Sequence, residues 1–221
     1  MATTKARQAF NTSATEIRRL IAIHSDLGGT GPGRRYQLEV LNKSAIVLIT
    51  AIWEAFCEDL AAEAVDHLVS YVDSADDVPT ELKKRIAAVV KNEKHELAVW
   101  KLADDGWRDV IRARLSELTA ERNWNMNTPK SDQVDRLFAD ALGLASISAS
   151  WKWPGMTAER ARKKLDEFIA LRGAIAHRGK SAKTCRKVQV TNYFEHVKRL
   201  AGRTGTRVRA FIRATTGRRL V

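Results

Sequence analysis

Two side chains in the last third of the chain have the types and spacing for phosphate chemistry. In the run ALRGAIAHRGK, residues 170–180, Arg172 and His177 stand five positions apart. A guanidinium binds phosphoryl oxygens in bidentate fashion and keeps its charge at any reachable pH. An imidazole titrates near neutrality and exchanges protons with hydroxyls. Together they suit attack of an RNA 2′-hydroxyl on the adjacent phosphate: the base removes the proton, the cation stabilises charge building on the phosphoryl oxygens, and a 2′,3′-cyclic phosphate and a 5′-hydroxyl result. No other histidine lies near the motif in sequence to serve as the second acid/base. Two-fold pairing of the motif helices would bring a second His177 into one cleft, a physical reason to expect a homodimer.

The element that must position the pair is a helix starting near Thr157. At ~100° per residue, Leu165, Phe168, Ile169, Leu171, Ile175 and Ala176 share one arc, and Arg172 falls within it. A charged residue on an apolar face requires a carboxylate, a bound anion or a subunit interface to satisfy its donors. His177 is rotated from Arg172 by roughly 140° in an ideal helix, so the two converge only if the helix ends or distorts between them. Gly179 supplies a terminator just past the histidine. A basic residue in a last helical turn also interacts favourably with the helix dipole, the structural alternative for both.

The carboxylate expected to pair with Arg172 is Glu54, in the run AIWEAFCEDL, where Trp53, Phe56 and Cys57 flank it. Buried carboxylates are seldom left unpaired. Asp59 and Glu63 on the same helix remain rivals, because sequence does not reveal the rotational setting of two helices. Glu63 and His67 share a face, a spacing more typical of a surface contact than of a metal site.

The 221 residues are 44% apolar and 29% charged, ordinary for a soluble globular protein. The N-terminus has no continuous apolar stretch, and no run reaches the roughly 18 apolar residues of a membrane span, so a cytoplasmic protein with no membrane partner is expected. Cys57 in an apolar stretch and Cys185 in a basic, exposed one show no metal-ligand spacing, and neither a disulfide framework nor a metal or other cofactor is expected. From Arg172 to Val221 fourteen Lys and Arg face one acid, Glu195, a balance of +13, so the first 171 residues sum to −1 within the total of +12. Such a segment suits RNA phosphates. Arg178, Lys180, Lys183, Arg186 and Lys187 are the candidate contacts.

Helical spacing recurs throughout. Residues 4–26 predict a first helix, ending at Gly28. The loop GGTGPGRR, Gly28 to Arg35, is rejected as a nucleotide site, since a helix precedes it and Arg34 and Arg35 stand where Lys and Ser/Thr belong. Tyr36–Tyr71 is the core helix, apolar nearly all round between Ala45 and Cys57. Helices follow from Pro79 and between Asp104 and Arg122. Asn123–Lys130 is a polar loop of possible functional use, and Ser131 caps a short helix ended by Gly143. Trp151 and Trp153 read as loop anchors in preference to base-stacking platforms. Residues 188–201 and 206–215 predict two helices split by Gly202 and Gly205. The class is all-α, a bundle of about seven to eight helices in one domain: residues 1–35 as N-terminal helix and Gly-rich loop, 36–180 as core with the Arg/His motif, 181–221 as basic C-terminal helices.

The ordered set AIWEAFCEDL, the Trp107 helix, NTPKSDQVDRLFADALGL, SASWKW and LRGAIAHRG resembles the HEPN superfamily, specifically its RiboL-PSP branch, over about residues 36–215. The resemblance implies a dimeric, metal-independent endoribonuclease with Arg172 and His177 as the matching pair. It also implies a toxin, stress-response or phage-defence setting, with an antitoxin or effector as a further partner. The sequence departs at Gly173, where such proteins commonly carry Asn, Asp or His. An inactive HEPN-like module that binds RNA or a protein is the other reading.

Overall fold

The computed structural model describes residues 3–28, 38–124, 129–178 and 184–221, and their side chains except at 118–124 and 177–178. Seven α-helices make the fold: α1 (Lys5–Gly28), α2 (Glu39–Tyr71), α3 (Thr80–Asn92), α4 (Gly106–Trp124), α5 (Ser131–Leu142), α6 (Ala158–Arg178) and α7 (Lys187–Thr216). Short 3-10 turns lie at Ala75–Asp77, Ala98–Leu102 and Ile147–Ser150, and no strand is found among the described residues. The architecture is all-α. The loop Gly28–Arg35, beyond Gly28, and residues 125–128 of the expected loop Asn123–Lys130 lie outside the described residues, and its first two residues belong to α4.

α2 contains neither glycine nor proline over 33 residues, so nothing in it interrupts the helical hydrogen bonds. Its buried residues, among them Ile46, Ile49, Trp53, Phe56, Leu60 and Leu68, recur every three or four positions along its length, and α1, α4, α5, α6 and α7 all pack on it. The helix that is apolar nearly all round in sequence is therefore central to the bundle, yet it is not buried all round: Val40, Leu48, Ala51, Ala55 and Asp59 form an exposed stripe. α1 is fixed to it at one end by Glu63, whose two carboxylate oxygens accept from the Lys5 and Ala6 amides at 3.0 and 3.1 Å. Phe10 then meets Phe56 edge-on with ring centres 5.4 Å apart.

The helices that carry the motif are tied down by polar contacts in the core. Asp166 of α6 accepts from both the amide and the hydroxyl of Ser131, each at 2.8 Å. Ser131 is thus the first residue of α5 and not its cap: the exposed amide at the helix start is satisfied by a carboxylate from a neighbouring helix, which also suits the helix dipole. Gly143, in the left-handed conformation at φ 71°, ends α5 as expected. Trp151 donates its indole N–H to Thr204 Oγ1 at 2.9 Å and packs edge-on to Trp53 at 5.8 Å. Trp153 lies partly buried beneath Arg199, so both rings anchor their loop to the core.

Two expectations are corrected. α7 runs unbroken through Gly202 and Gly205. A glycine inside a helix costs only about 1 kcal/mol relative to alanine, and burial of Leu200, Ala201, Val208 and Ile212 on one face outweighs that. Cys185 is buried, not exposed. Its carbonyl accepts from Asn42 Nδ2 at 2.9 Å and its amide donates to Glu39 Oε1 at 3.5 Å, which draws the start of α7 onto the first turns of α2. Among the described residues no helix is long and apolar enough to cross a membrane.

His196 of α7 sits in the core with Nε2 3.0 Å from the Ala161 carbonyl. Burial, aided by the charges of Lys164 and Arg199 and opposed by the hydrogen bond to Ala161, pushes its pKa down to about 4. The unfolded chain, with an ordinary imidazole, therefore binds the proton first as pH falls. The stabilisation is complete above the ordinary value near 6.5 and is lost as pH falls towards 4, with a slope of up to about 1.4 kcal/mol per pH unit. Denaturant unfolding at pH 7.5 and pH 5 should show a larger loss for the wild type than for His196→Gln. Equal losses in the two proteins would show that His196 is not the acid-sensitive core group.

Candidate functional site

Along α6, Leu165 and Ile169 are buried against the bundle, and Phe168 stacks on Tyr193 of α7 with ring centres 4.2 Å apart. One turn on, Arg172 continues this face, as its place in the apolar arc requires. It is half-buried, and its Nε is enclosed with no hydrogen-bond partner. Its charge acts on Tyr193. The Tyr193 hydroxyl lies 3.0 Å from Thr50 Oγ1, and Thr50 donates its own proton to the Ile46 carbonyl at 3.0 Å. Tyr193 is then the donor in the pair. Burial raises the Tyr193 phenol well above its ordinary value, with the Thr50 hydrogen bond and Arg172 opposing, so it stays neutral at physiological pH. The end of α6 thus presents a permanent cation with an unmatched donor beside two neutral hydroxyls whose own protons are committed, so the guanidinium is the group there that suits an anion.

The expected pairing of Arg172 with a core-helix carboxylate is not formed among the described residues. Glu54 is half-buried on α2 and engaged in an interaction of its own. Asp59 is exposed. Glu63 caps α1 with both oxygens, which also removes it as a metal ligand with His67. Thr50 and Glu54, four residues apart, share one side of α2, and it is Thr50 that stands against Tyr193 while Glu54 lies about one turn further along the axis.

α6 continues without a break through His177 to Arg178. No helix end or distortion intervenes between Arg172 and His177, and the expectation that one would bring them together is corrected. They remain roughly 140° apart about the axis. The His177 and Arg178 side chains, and Gly179, Lys180 and Lys183 entirely, lie outside the described residues. Arg186 is exposed at the start of α7, and Lys187 reaches the Ser25 hydroxyl of α1. Both stand at the same end of the molecule as Arg172, since the neighbouring Cys185 is bound to Asn42 and Glu39 of α2. Among the described residues no group of three His, Cys, Asp or Glu side chains gathers to hold a metal.

Sequence reasoning missed Asn42, Thr50 and Tyr193. The available signal was polar residues inside the apolar run of α2: a buried hydroxyl or amide needs a partner, and both partners lie at the start of α7, next to the motif.

A family model described as RiboL-PSP-HEPN matches residues 12–207, from α1 through most of α7. No curated protein and no solved structure matches the chain.

Gly173, beside Arg172, is not required by packing: a Cβ built there meets nothing within 4 Å. Gly173→Ala should therefore raise stability by up to about 1 kcal/mol through helix propensity alone, and Gly173→Asn should fold normally. Chemical denaturation tests this, and destabilisation by alanine would reveal a constraint on the backbone that the open space does not account for.

Proposed function

The chain belongs to the RiboL-PSP-HEPN family, and on that premise we propose that it is a metal-independent endoribonuclease working as a homodimer. The observation that carries this reading is Arg172: a guanidinium on the core face, unpaired with any described carboxylate, with a buried donor lacking an acceptor. A phosphoryl oxygen is the acceptor it fits.

In the reaction, His177 takes the proton of a 2′-hydroxyl, the O2′–P bond forms, and Arg172 stabilises the charge on the non-bridging oxygens. The P–O5′ bond then breaks, and a second acid protonates the leaving oxygen. The second His177 of a dimer fills that role. An unbroken α6 supports the dimer, because groups about 140° apart on one helix serve a single phosphate more readily from two helices than from one. Exposed Ala170 and Ala174 on α6, with exposed Val40, Leu48 and Ala51 on α2, leave a low, apolar surface on which two copies can approach. Arg178, Lys180, Lys183, Arg186 and Lys187 guide the RNA backbone. Glu54 supports the site from α2. In this reading the protein acts in the cytoplasm in a toxin, stress-response or phage-defence setting, restrained by an antitoxin or triggered by an effector.

Gly173 favours a second reading, a catalytically silent HEPN-like module that binds RNA or a protein. Incubation with total RNA separates the two. Under the first, Arg172→Ala and His177→Ala stay folded and dimeric and lose cleavage by ~100-fold or more. EDTA has no effect, a deoxyribose at the scissile position blocks cleavage without blocking binding, and Gly173→Asn is faster than wild type. RNA left intact by both wild type and Gly173→Asn would sink the nuclease and leave the binding module.

Neutralising Lys180, Lys183, Arg186 and Lys187 together should weaken RNA binding irrespective of sequence and flatten its salt dependence by roughly one unit of slope per lost phosphate contact. Unchanged affinity and slope would make these residues a solvated surface.

A further inference from the structure

Roughly 24 Å along α7 from Tyr193 to Arg209, at 1.5 Å per residue, the bundle opens into a cleft of about 620 Å³. The start of α1, the last turns of α7 and the C-terminal residues enclose it, with Phe56 of α2 in its wall. That volume is within the usual range for a small-molecule site. Four guanidinium groups line it, those of Arg7, Arg209, Arg213 and Arg219, and none is ion-paired with a described carboxylate. Arg7 is the most constrained. Its face rests on the Phe10 ring at 5.2 Å, and its Nη1 is buried with no hydrogen-bond partner. Burial first, and then the like charge of Arg209, push it below the ordinary arginine value. A fold rarely gathers like charges around a buried, unmatched donor unless something of opposite charge completes the set.

The helix wall points the same way. Gly202 and Gly205 both line the cleft from the interior of α7, where glycine is unfavourable. A Cβ at Gly202 meets nothing within 4 Å, so packing does not demand glycine there. Its absence of a side chain keeps the cleft open. Gly205 stands against Arg209 Nη1 and Phe56 at 3.8 and 3.9 Å from such a Cβ, so larger side chains would press on the cation and the ring.

We propose that this cleft is a second anion site, separate from the Arg172 end, that binds the phosphate groups of a nucleotide-sized ligand. Arg7 and Arg209 hold the inner phosphoryl group, Arg213 and Arg219 the outer one, and the Phe56 wall takes the apolar part of the ligand. The same chemistry is offered by a free nucleotide and by the phosphorylated end of an RNA strand. The site rests on its own residues and not on the cleavage reading.

Calorimetric titration of the full chain tests it, with inorganic pyrophosphate, ATP, and a short RNA bearing either a 5′-phosphate or a 5′-hydroxyl. The Arg172→Ala background removes the guanidinium of the proposed cleavage site, so failure here and failure of the nuclease are read separately. Pyrophosphate should bind at one per chain. Arg7→Gln and Arg209→Gln should each weaken it by about 10-fold or more, the scale of one charge-assisted hydrogen bond. Both should melt no lower than the parent without ligand, since each removes repulsion. Gly202→Leu should fold and block binding by filling the cleft, whereas Arg160→Gln, exposed on α6, should bind as the parent does. Preference for ATP identifies a free nucleotide, and preference for the 5′-phosphorylated RNA over its 5′-hydroxyl twin identifies an RNA end. No pyrophosphate binding, or equal weakening by Arg160→Gln, would overturn the proposal.

Discussion

The central place of α2, on which five other helices pack, is the constraint on which the rest of the structure depends. Polar groups on its buried face cannot reach water, so each one needs a partner from the helix packed above it. Thr50 binds Tyr193, Asn42 binds the Cys185 carbonyl, and Trp53 donates to the Pro129 carbonyl at 3.1 Å. Two of these three bonds reach α7 or the segment that leads into it, and the third reaches the segment that leads into α5. The polar contacts of the central helix therefore set the axial position of its neighbours, while apolar packing supplies most of the free energy.

α6 is located through this framework by Asp166, which binds α5, and by Phe168, which stacks on the same Tyr193 that bonds Thr50. Arg172 arrives at the end of a well-determined helix beside a well-determined hydroxyl pair. The contrast with its surroundings is what gives it meaning: hydroxyls, amides and indoles are matched around it, whereas its Nε is not. Arg7 makes the same contrast at the far end of α7, where even the adjacent amides of Lys5 and Ala6 are satisfied by Glu63. An unmatched guanidinium beside matched hydroxyls and amides is better suited to an external anion than to stability.

Much of the fold was legible because helical periodicity and terminators are local. The all-α class, the central position of α2, the end of α5 at Gly143 and the anchoring role of Trp151 all follow from neighbouring residues. What failed depended on tertiary packing. Gly202 and Gly205 carry a local signal for a break, but buried flanks on one face of α7 override it. Cys185 looks exposed among basic neighbours, yet Asn42 and Glu39 draw its backbone inward. Glu54 looked like the partner of Arg172 because both lie on apolar faces, and the axial setting of α2 that puts Thr50 beside Tyr193, with Glu54 about one turn further on, has no trace in sequence. The cleft around Arg7 was invisible for a simpler reason: Arg7 and Arg209 come from opposite ends of the chain and meet only when α1 and α7 flank α2.

The helical phase of the motif decides how the Arg/His pair can be used. Were α6 to end between Arg172 and His177, one chain would suffice to bring both side chains to one phosphate. It instead stays helical to Arg178, and Arg172 is held to the core side by the arc it shares with Leu165 and Ile169. Under the proposed two-fold arrangement, a second copy of α6 would supply what positions about 140° apart on one helix do not. The small residues Ala170, Gly173 and Ala174 gain a use in this arrangement, since they lower the surface over which two such helices would have to approach. In that proposal Gly173, a departure from the polar residue common in such motifs, would trade a group that orients the phosphate for closeness of two backbones.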